Sequence, residues 1–191
     1  MRSQPSTFLS PEEYLEIERR AERKSEYFQG EMFAMAGTSL EHAEIIINLG
    51  RELSQRLKGR QCHVYSTDVR LRVAPNGLYT YPDVMVICGD PQLADGRRDT
   101  VVNPVLIVEV LSESTEAYDR GKKFDQYSTL PSLREYLLVA QDAPRIEQWS
   151  RQPDDNWLRF ETSGRDSSLQ LASSDCVLPL AEVYDKIEWP A

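Results

Sequence analysis

The period of apolar positions changes several times along the chain, and each change marks an element. Over 11–24 the pattern predicts a helix: Ser10 is an N-cap, Pro11 suits the first helical position, and Glu13 completes a Ser-x-x-Glu capping box. The short apolar segment from Tyr27 to Ala36 is cut by Gly30 and Gly37 and reads as a hairpin turning at Gln29-Gly30. Over 41–57, Ile46, Leu49, Leu53 and Leu57 recur at helical spacing beside Ile45, with Arg51, Gln55 and Lys58 opposite and Gly59 as the stop. From His63 to Val73 the period drops to two, which predicts one half-exposed strand carrying Val64, Ser66, Asp68, Arg70 and Arg72 on one side. Pro75-Asn76-Gly77 is a turn.

Two apolar runs follow, YPDVMVIC over 81–88 and PVLIVEVL over 104–111, separated by a polar loop. The second is nearly continuous, the mark of a strand buried on both faces. A third helix is predicted over 114–129, a fourth core strand over 135–140, and a hairpin whose arms, 145–150 and 157–162, flank Gln152 to Asn156. A short helix over 180–184 closes the chain. The order of helix, three strands, helix, strand and C-terminal β extension predicts an α/β or α+β domain on a mixed sheet. With no repeat, linker or low-complexity tract, 1–191 reads as a single domain.

Composition narrows the function classes. No stretch approaches the ~18 consecutive apolar residues of a membrane span, so no membrane association is expected. The N-terminus lacks an apolar signal core, which makes the cytoplasm the expected address. Cys62, Cys88 and Cys176 are odd in number and far apart, so no disulfide framework is expected. His42 and His63 have no cysteine pair beside them, which argues against tetrahedral zinc and leaves carboxylate ligation of Mg²⁺ or Mn²⁺. The net charge of −9 argues against general coating of nucleic acid, although Arg51, Arg56, Lys58, Arg60, Arg70 and Arg72 form a local basic stretch.

Glu109 is the most informative residue, a carboxylate inside Val105 to Leu111. Buried and unpaired it would cost several kcal/mol or hold a proton, so it pairs with a base, binds a metal or lies where the strand emerges. Asp83 poses the same question beside its own apolar run, behind Pro82, which marks a strand start. Two such acids within reach repel unless a cation lies between them. On the third helix Arg120, Lys123 and Tyr127 fall at i, i+3 and i+7 and share a face. The plain alternatives are a structural Glu109 ion pair, an Asp119–Lys123 pair on a solvated face, a packed His42, and exposed acids at Glu31 and Asp68.

Together the residues resemble a known family. Tyr81-Pro82-Asp83-Val84, Val108-Glu109-Val110-Leu111-Ser112, and Tyr118-Asp119-Arg120-Gly121-Lys122-Lys123 ending in Tyr127 look like the Uma-two family of restriction-type endonucleases, in the PD-(D/E)XK superfamily. Gly30-Glu31, Met35-Ala36-Gly37, His42 and Pro131 to Leu137 support the match, which spans about 8–187. The resemblance implies a restriction-endonuclease-like α-β-β-β-α-β core with a mixed sheet flanked by helices, an N-terminal helix and hairpin, and a C-terminal hairpin extension. It implies Asp83 and Glu109 as Mg²⁺ ligands, Mn²⁺ being an alternative, with help from the Val110 carbonyl. The superfamily pattern places a lysine two residues after the glutamate; here that position is Leu111, and Lys123 on the following helix takes the role rather than Lys122. Glu31, His42 and Asp68 match recurrent polar positions.

The expected activity is therefore Mg²⁺-dependent hydrolysis of DNA phosphodiesters. Asp83, Glu109, Lys123, Glu31 and His42 form the candidate catalytic set, and Arg70, Arg72 or Arg120 contact the nucleic acid, with Arg51 and Arg56 as further candidates. A homodimer suits the cutting of both strands of a duplex. The rival readings are an inert nuclease fold acting as a nucleic-acid-binding or assembly module, a metal-free hydrolase using Asp83 and Glu109 as acid and base, and a structural domain with Glu109 paired to Lys123.

Overall fold

The computed structural model describes residues 8–35 and 37–189. Helix α1, Pro11–Glu18, starts as predicted: the Ser10 hydroxyl accepts from the Glu13 amide at 3.2 Å, and the Glu13 carboxylate accepts from the Ser10 amide at 2.7 Å. It is shorter than its predicted span, because the polar stretch from Arg19 to Lys24 has no apolar stripe to hold a further turn against the core. Strands β1, Ser25–Phe28, and β2, Glu31–Ala34, form the predicted hairpin. Gln29 and Gly30 both have positive φ, 50° and 90°, as a two-residue turn requires. A side chain at Gly30 would collide with Phe8 as well.

Helix α2, Leu40–Arg56, is capped by Ser39 and buries Ile45, Leu49 and Leu53. The strand predicted over 63–73 is in fact two. Strand β3, Cys62–Ser66, and β4, Arg70–Val73, lie in different sheets, separated by a turn at Thr67-Asp68 in which the Val69 amide donates to the Ser66 carbonyl. Alternation is preserved on both sides of that turn, so the sequence period cannot reveal the break. Asp68 is consequently an exposed turn residue paired with Lys24 rather than a mid-strand one. Strand β5, Leu78–Thr80, precedes β6, Val84–Cys88, and the polar loop contains a short β7, Thr100–Val101.

The buried apolar run becomes β8, Leu106–Val110. Helix α3 covers 116–127, with a π-helical turn at Asp119–Lys123. Strands β9, Glu135–Val139, β10, Arg145–Arg151, and β11, Trp157–Ser163, follow. A further hairpin, β12, Ser168–Leu171, with β13, Cys176–Pro179, and a helical turn, Leu180–Val183, close the chain.

The main sheet has the order β11-β10-β9-β8-β6-β3, with β8 and β9 parallel and the other neighbours antiparallel. One face packs on α2, the β12–β13 hairpin and the closing turn through Val84, Val86, Val108, Val110, Leu137 and Val139. The other packs on α3 and the second sheet, β2-β1-β5-β4-β7, through Met85, Ile87, Ile107, Tyr136 and Leu138. This is the mixed α/β architecture expected. Trp149 and Trp157 pack on Phe124 with ring centroids 4.5 and 5.5 Å away, so both serve the core. The cysteines depart from expectation: Cys62 and Cys88 face each other on β3 and β6 and form a disulfide, while Cys176 is buried and free. A cross-strand pair 26 residues apart has no sequence signature until the register is known. No helix among the described residues is long and apolar enough to cross a membrane.

Candidate active site

Strands β6 and β8 pair with Val84 opposite Val108, and this register continues to set Asp83 opposite Glu109. The two carboxylates thus meet at one end of the sheet, on the face toward α3. Both are buried, at 9% and 3% exposure. Asp83 Oδ2 accepts the Val110 amide at 2.8 Å and lies 3.4 Å from His42 Nε2. His42 comes from the first turn of α2, 14% exposed, and its Nδ1 is buried with no partner among the described residues.

Helix α3 supplies the cation. Lys123 Nζ lies 3.0 Å from Glu109 Oε1, 3.4 Å from Glu26 Oε1 and 3.5 Å from Asp119 Oδ1. The Tyr127 hydroxyl donates to the same Glu109 oxygen at 2.8 Å. The Thr80 hydroxyl donates to Glu26, and the Tyr136 hydroxyl donates to the Asp119 carbonyl at 3.1 Å, which ties the π turn to β9. Among the described residues, no hydrogen bond or ion pair uses Glu109 Oε2 or Asp83 Oδ1.

The cluster carries more negative than positive charge. Burial, reinforced by Asp83 and Asp119 and opposed by Lys123 and the Tyr127 hydroxyl, pushes the Glu109 carboxyl up to about 8. Burial likewise raises Asp119. Burial works against the Lys123 ammonium, but Glu109, Glu26 and Asp119 outweigh it and hold the lysine protonated. His42 is also raised: burial disfavours its charged form, while Asp83 and the Val110 backbone favour it.

The helix face drawn from the sequence changes in the structure. Lys123 and Tyr127 point into the cluster, but Arg120 does not. The π turn adds a residue to the helical repeat and swings Arg120 to Glu116 and Glu147. Lys122 is exposed, so Lys123 is the lysine that reaches the acids. Glu31 lies exposed on β2, and no hydrogen bond or ion pair among the described residues joins it to the cluster. Its place is taken by Glu26 on the partner strand, which the sequence reading missed. Glu26 shares with Phe28 the half-buried side of β1, while Ser25 and Tyr27 take the buried side, so the strand pattern alone gave no signal for it.

The basic residues are largely engaged. Arg70 is buried at 4% exposure, bonds Tyr81 and Thr100, and sits between the Tyr14 and Tyr81 rings. The structure places it in the core, with little surface to offer a nucleic acid. Arg72 lies over the Tyr79 ring, and its Nε is buried without a partner among the described residues. Arg51 pairs with Glu52, Glu182 and Asp185, and Arg56 with Glu52.

Among the described residues, no group of three or more His, Cys, Asp or Glu forms a ready-made metal cage. The donor set nevertheless suits a hard divalent cation: two facing carboxylates, each with an oxygen uncommitted among the described residues. A cation of this kind completes its shell with water.

Residues 11–181 match the model of the family Uma2, described as "Putative restriction endonuclease". Two Synechocystis proteins carried as uncharacterized are similar in sequence. One, sll1609, is 40% identical over 86% of this chain and 93% of its own length; the other, slr1290, is 42% identical over 85% and 86%. A crystal structure described as a "putative nuclease belonging to DUF820" from Anabaena variabilis superposes with a TM-score of 0.73 at 14% identity, covering 92% of this chain and 97% of that one. At that identity the likeness is one of fold.

Proposed function

The chain belongs to the Uma2 restriction endonuclease family, and from that premise we propose that it hydrolyses DNA phosphodiesters with Mg²⁺ held by Asp83 and Glu109. The observation that carries this reading is the convergence of Asp83, Glu109 and Lys123, from three separate elements, with one oxygen of each acid uncommitted.

Asp83, Glu109 and the Val110 carbonyl would hold the ion, Mn²⁺ serving in its place. When bound, a divalent cation polarises a phosphate oxygen and acidifies a water. The protein's own residues do the rest. The Tyr127 hydroxyl fixes the Glu109 rotamer through Oε1 and leaves Oε2 for ligation. Glu26 and Asp119 keep the Lys123 ammonium protonated and aimed at the strand ends. There it stabilises charge developing on the phosphorus oxygens and orients the attacking water. His42 positions Asp83 through Oδ2. Of Arg70, Arg72 and Arg120, Arg72 is the one left to meet the phosphate backbone, since Arg70 and Arg120 are spent on internal partners. The described parts of the chain serve one site, with the N-terminal hairpin contributing Glu26, and a homodimer would cut both strands.

The test is cleavage of plasmid and of single-stranded DNA with Mg²⁺, Mn²⁺ or EDTA, beside Glu109→Gln. Metal-dependent cutting lost in the variant supports the reading. Cutting that resists EDTA would move it to a metal-free hydrolase. DNA binding without cutting under either metal would favour an inert nuclease fold.

A further inference from the structure

Strand β11 is the outer edge of the main sheet. It pairs with β10 over seven uninterrupted positions, from Arg145 opposite Ser163 to Arg151 opposite Trp157. Its other side has no strand among the described residues. Exposed edges of this length are usually blunted by a proline, a bulge or a run of charge. Residues 157–163 contain no proline and no bulge, and they present Leu158 and Phe160 at 48% and 51% exposure.

The parity of the free edge follows from the flanking hydrogen bonds. The Gln152 amide donates to the Asn156 carbonyl at 2.7 Å, and the Gly164 amide donates to the Pro144 carbonyl at 2.8 Å. Even-numbered residues of β11 therefore bond to β10, and Trp157, Arg159, Glu161 and Ser163 turn their amides and carbonyls outward. An added antiparallel strand must pair with those four.

We propose that this edge receives the β11 of a second copy of the chain, antiparallel about a two-fold axis at Phe160. In that register Arg159 faces Glu161 of the second copy and Glu161 faces its Arg159, both as hydrogen-bonded pairs. Phe160 faces its own counterpart in the closer, non-hydrogen-bonded position, and Leu158 faces Thr162. Sliding the second strand by two residues preserves the backbone bonding but sets Arg159 against Arg159 or Glu161 against Glu161. Like charges directly opposite are destabilising, so the edge is complementary to itself in one register only. Both charged side chains are half-exposed, at 48% and 45%. Because the pairing is isologous, it closes as a dimer and does not propagate.

The edge lies three strands from Glu109, and Phe160 has no ion pair or hydrogen bond to the carboxylate–lysine cluster, whereas Arg159 reaches it indirectly through Glu147 and Arg120. Sedimentation across a hundredfold concentration range should give twice the chain mass for the wild type and the chain mass for Phe160→Glu. Arg159→Glu and Glu161→Arg each set like charges across the axis and should each be monomeric. Arg159→Glu also removes one partner of the buried Glu147 and sets a like charge beside it, leaving Arg120 as its counter-ion, so circular dichroism of each variant checks the fold. Mixing the two variants restores opposite charges at both positions and should restore the dimer. A monomeric wild type, a dimer indifferent to Phe160→Glu and to both reversals, or two folded variants that fail to associate when mixed would each overturn the proposal.

Discussion

Glu109 and Glu135 stand on adjacent parallel strands, both at 3% exposure or less, yet the protein treats them in opposite ways. Glu135 is saturated: its two oxygens accept from Gln148 Nε2 at 2.6 Å, the Ala172 amide at 3.2 Å, the Ser173 amide at 2.9 Å, the Ser173 hydroxyl and, at 3.5 Å, Ser150. All of these donors are neutral, and they stitch the turn of the β12–β13 hairpin to the sheet. Among the described residues Glu109 has two donors on one oxygen, none on the other, and two further acids close enough to raise its affinity for a proton. Burial of a carboxylate in a strand is thus no sign of chemistry by itself. What separates a fastener from a site is whether the acid's hydrogen-bonding capacity is used up within the fold.

Four measurements press on that contrast. Glu109→Gln should lower cleavage by more than about a thousandfold, roughly 4 kcal/mol of lost transition-state stabilisation. Its melting temperature should hold, because the carboxyl it replaces already carries a proton up to about 8. Full activity in this variant would remove Glu109 from the site. Glu135→Ala should do the reverse, costing about 3 kcal/mol in urea unfolding as buried donors lose their acceptor, with cleavage below the transition retained. An unchanged unfolding midpoint would show that the clasp is dispensable.

Glu26→Gln leaves Lys123 with Glu109 and Asp119 and should reduce turnover by about ten- to a hundredfold, the usual effect of an outer-shell partner. Steady-state rates at saturating metal check this, and an unaltered rate would make Glu26 a spectator. The last measurement concerns pH. Glu109 binds its proton in the folded chain up to about 8 but only to 4.5 when unfolded. Between those values the folded state holds the extra proton, so metal-free stability should fall as pH rises from 4.5 to about 8. Glu109→Gln should flatten this slope in urea midpoints taken across the range. Stabilisation by added Mg²⁺ should grow through the same window, because ligation needs the carboxylate.

Much of this was legible in the chain. Asp83 and Glu109 stood out because a charge beside or inside an apolar run is a local anomaly, and Lys123 because the helix after those strands repeats a cation with an aromatic. Glu135 looked like an ordinary first residue of a strand, and its donors, from β10 and the 172–173 turn, come from far along the chain. Arg70 read as a solvent-face base, whereas the Tyr14 and Tyr81 rings and Thr100 close over it. Arg120 read as sharing a face with Lys123 because an ideal helical repeat was assumed, and the π turn breaks that repeat.

The sequence by itself determined the order of the main helices and the central strands, the capped start of α1, the Gln29-Gly30 turn and the two acids at the strand ends. Each of these is set by neighbours within a few residues, through periodicity, capping or turn geometry. Tertiary structure decided that residues 63–73 divide between two sheets, that Cys62 meets Cys88, and that Glu26 rather than Glu31 joins the site. It also decided which arginines are spent inside the fold. These outcomes depend on strand register and on partners brought together from dozens of residues away, and a local pattern carries no record of either.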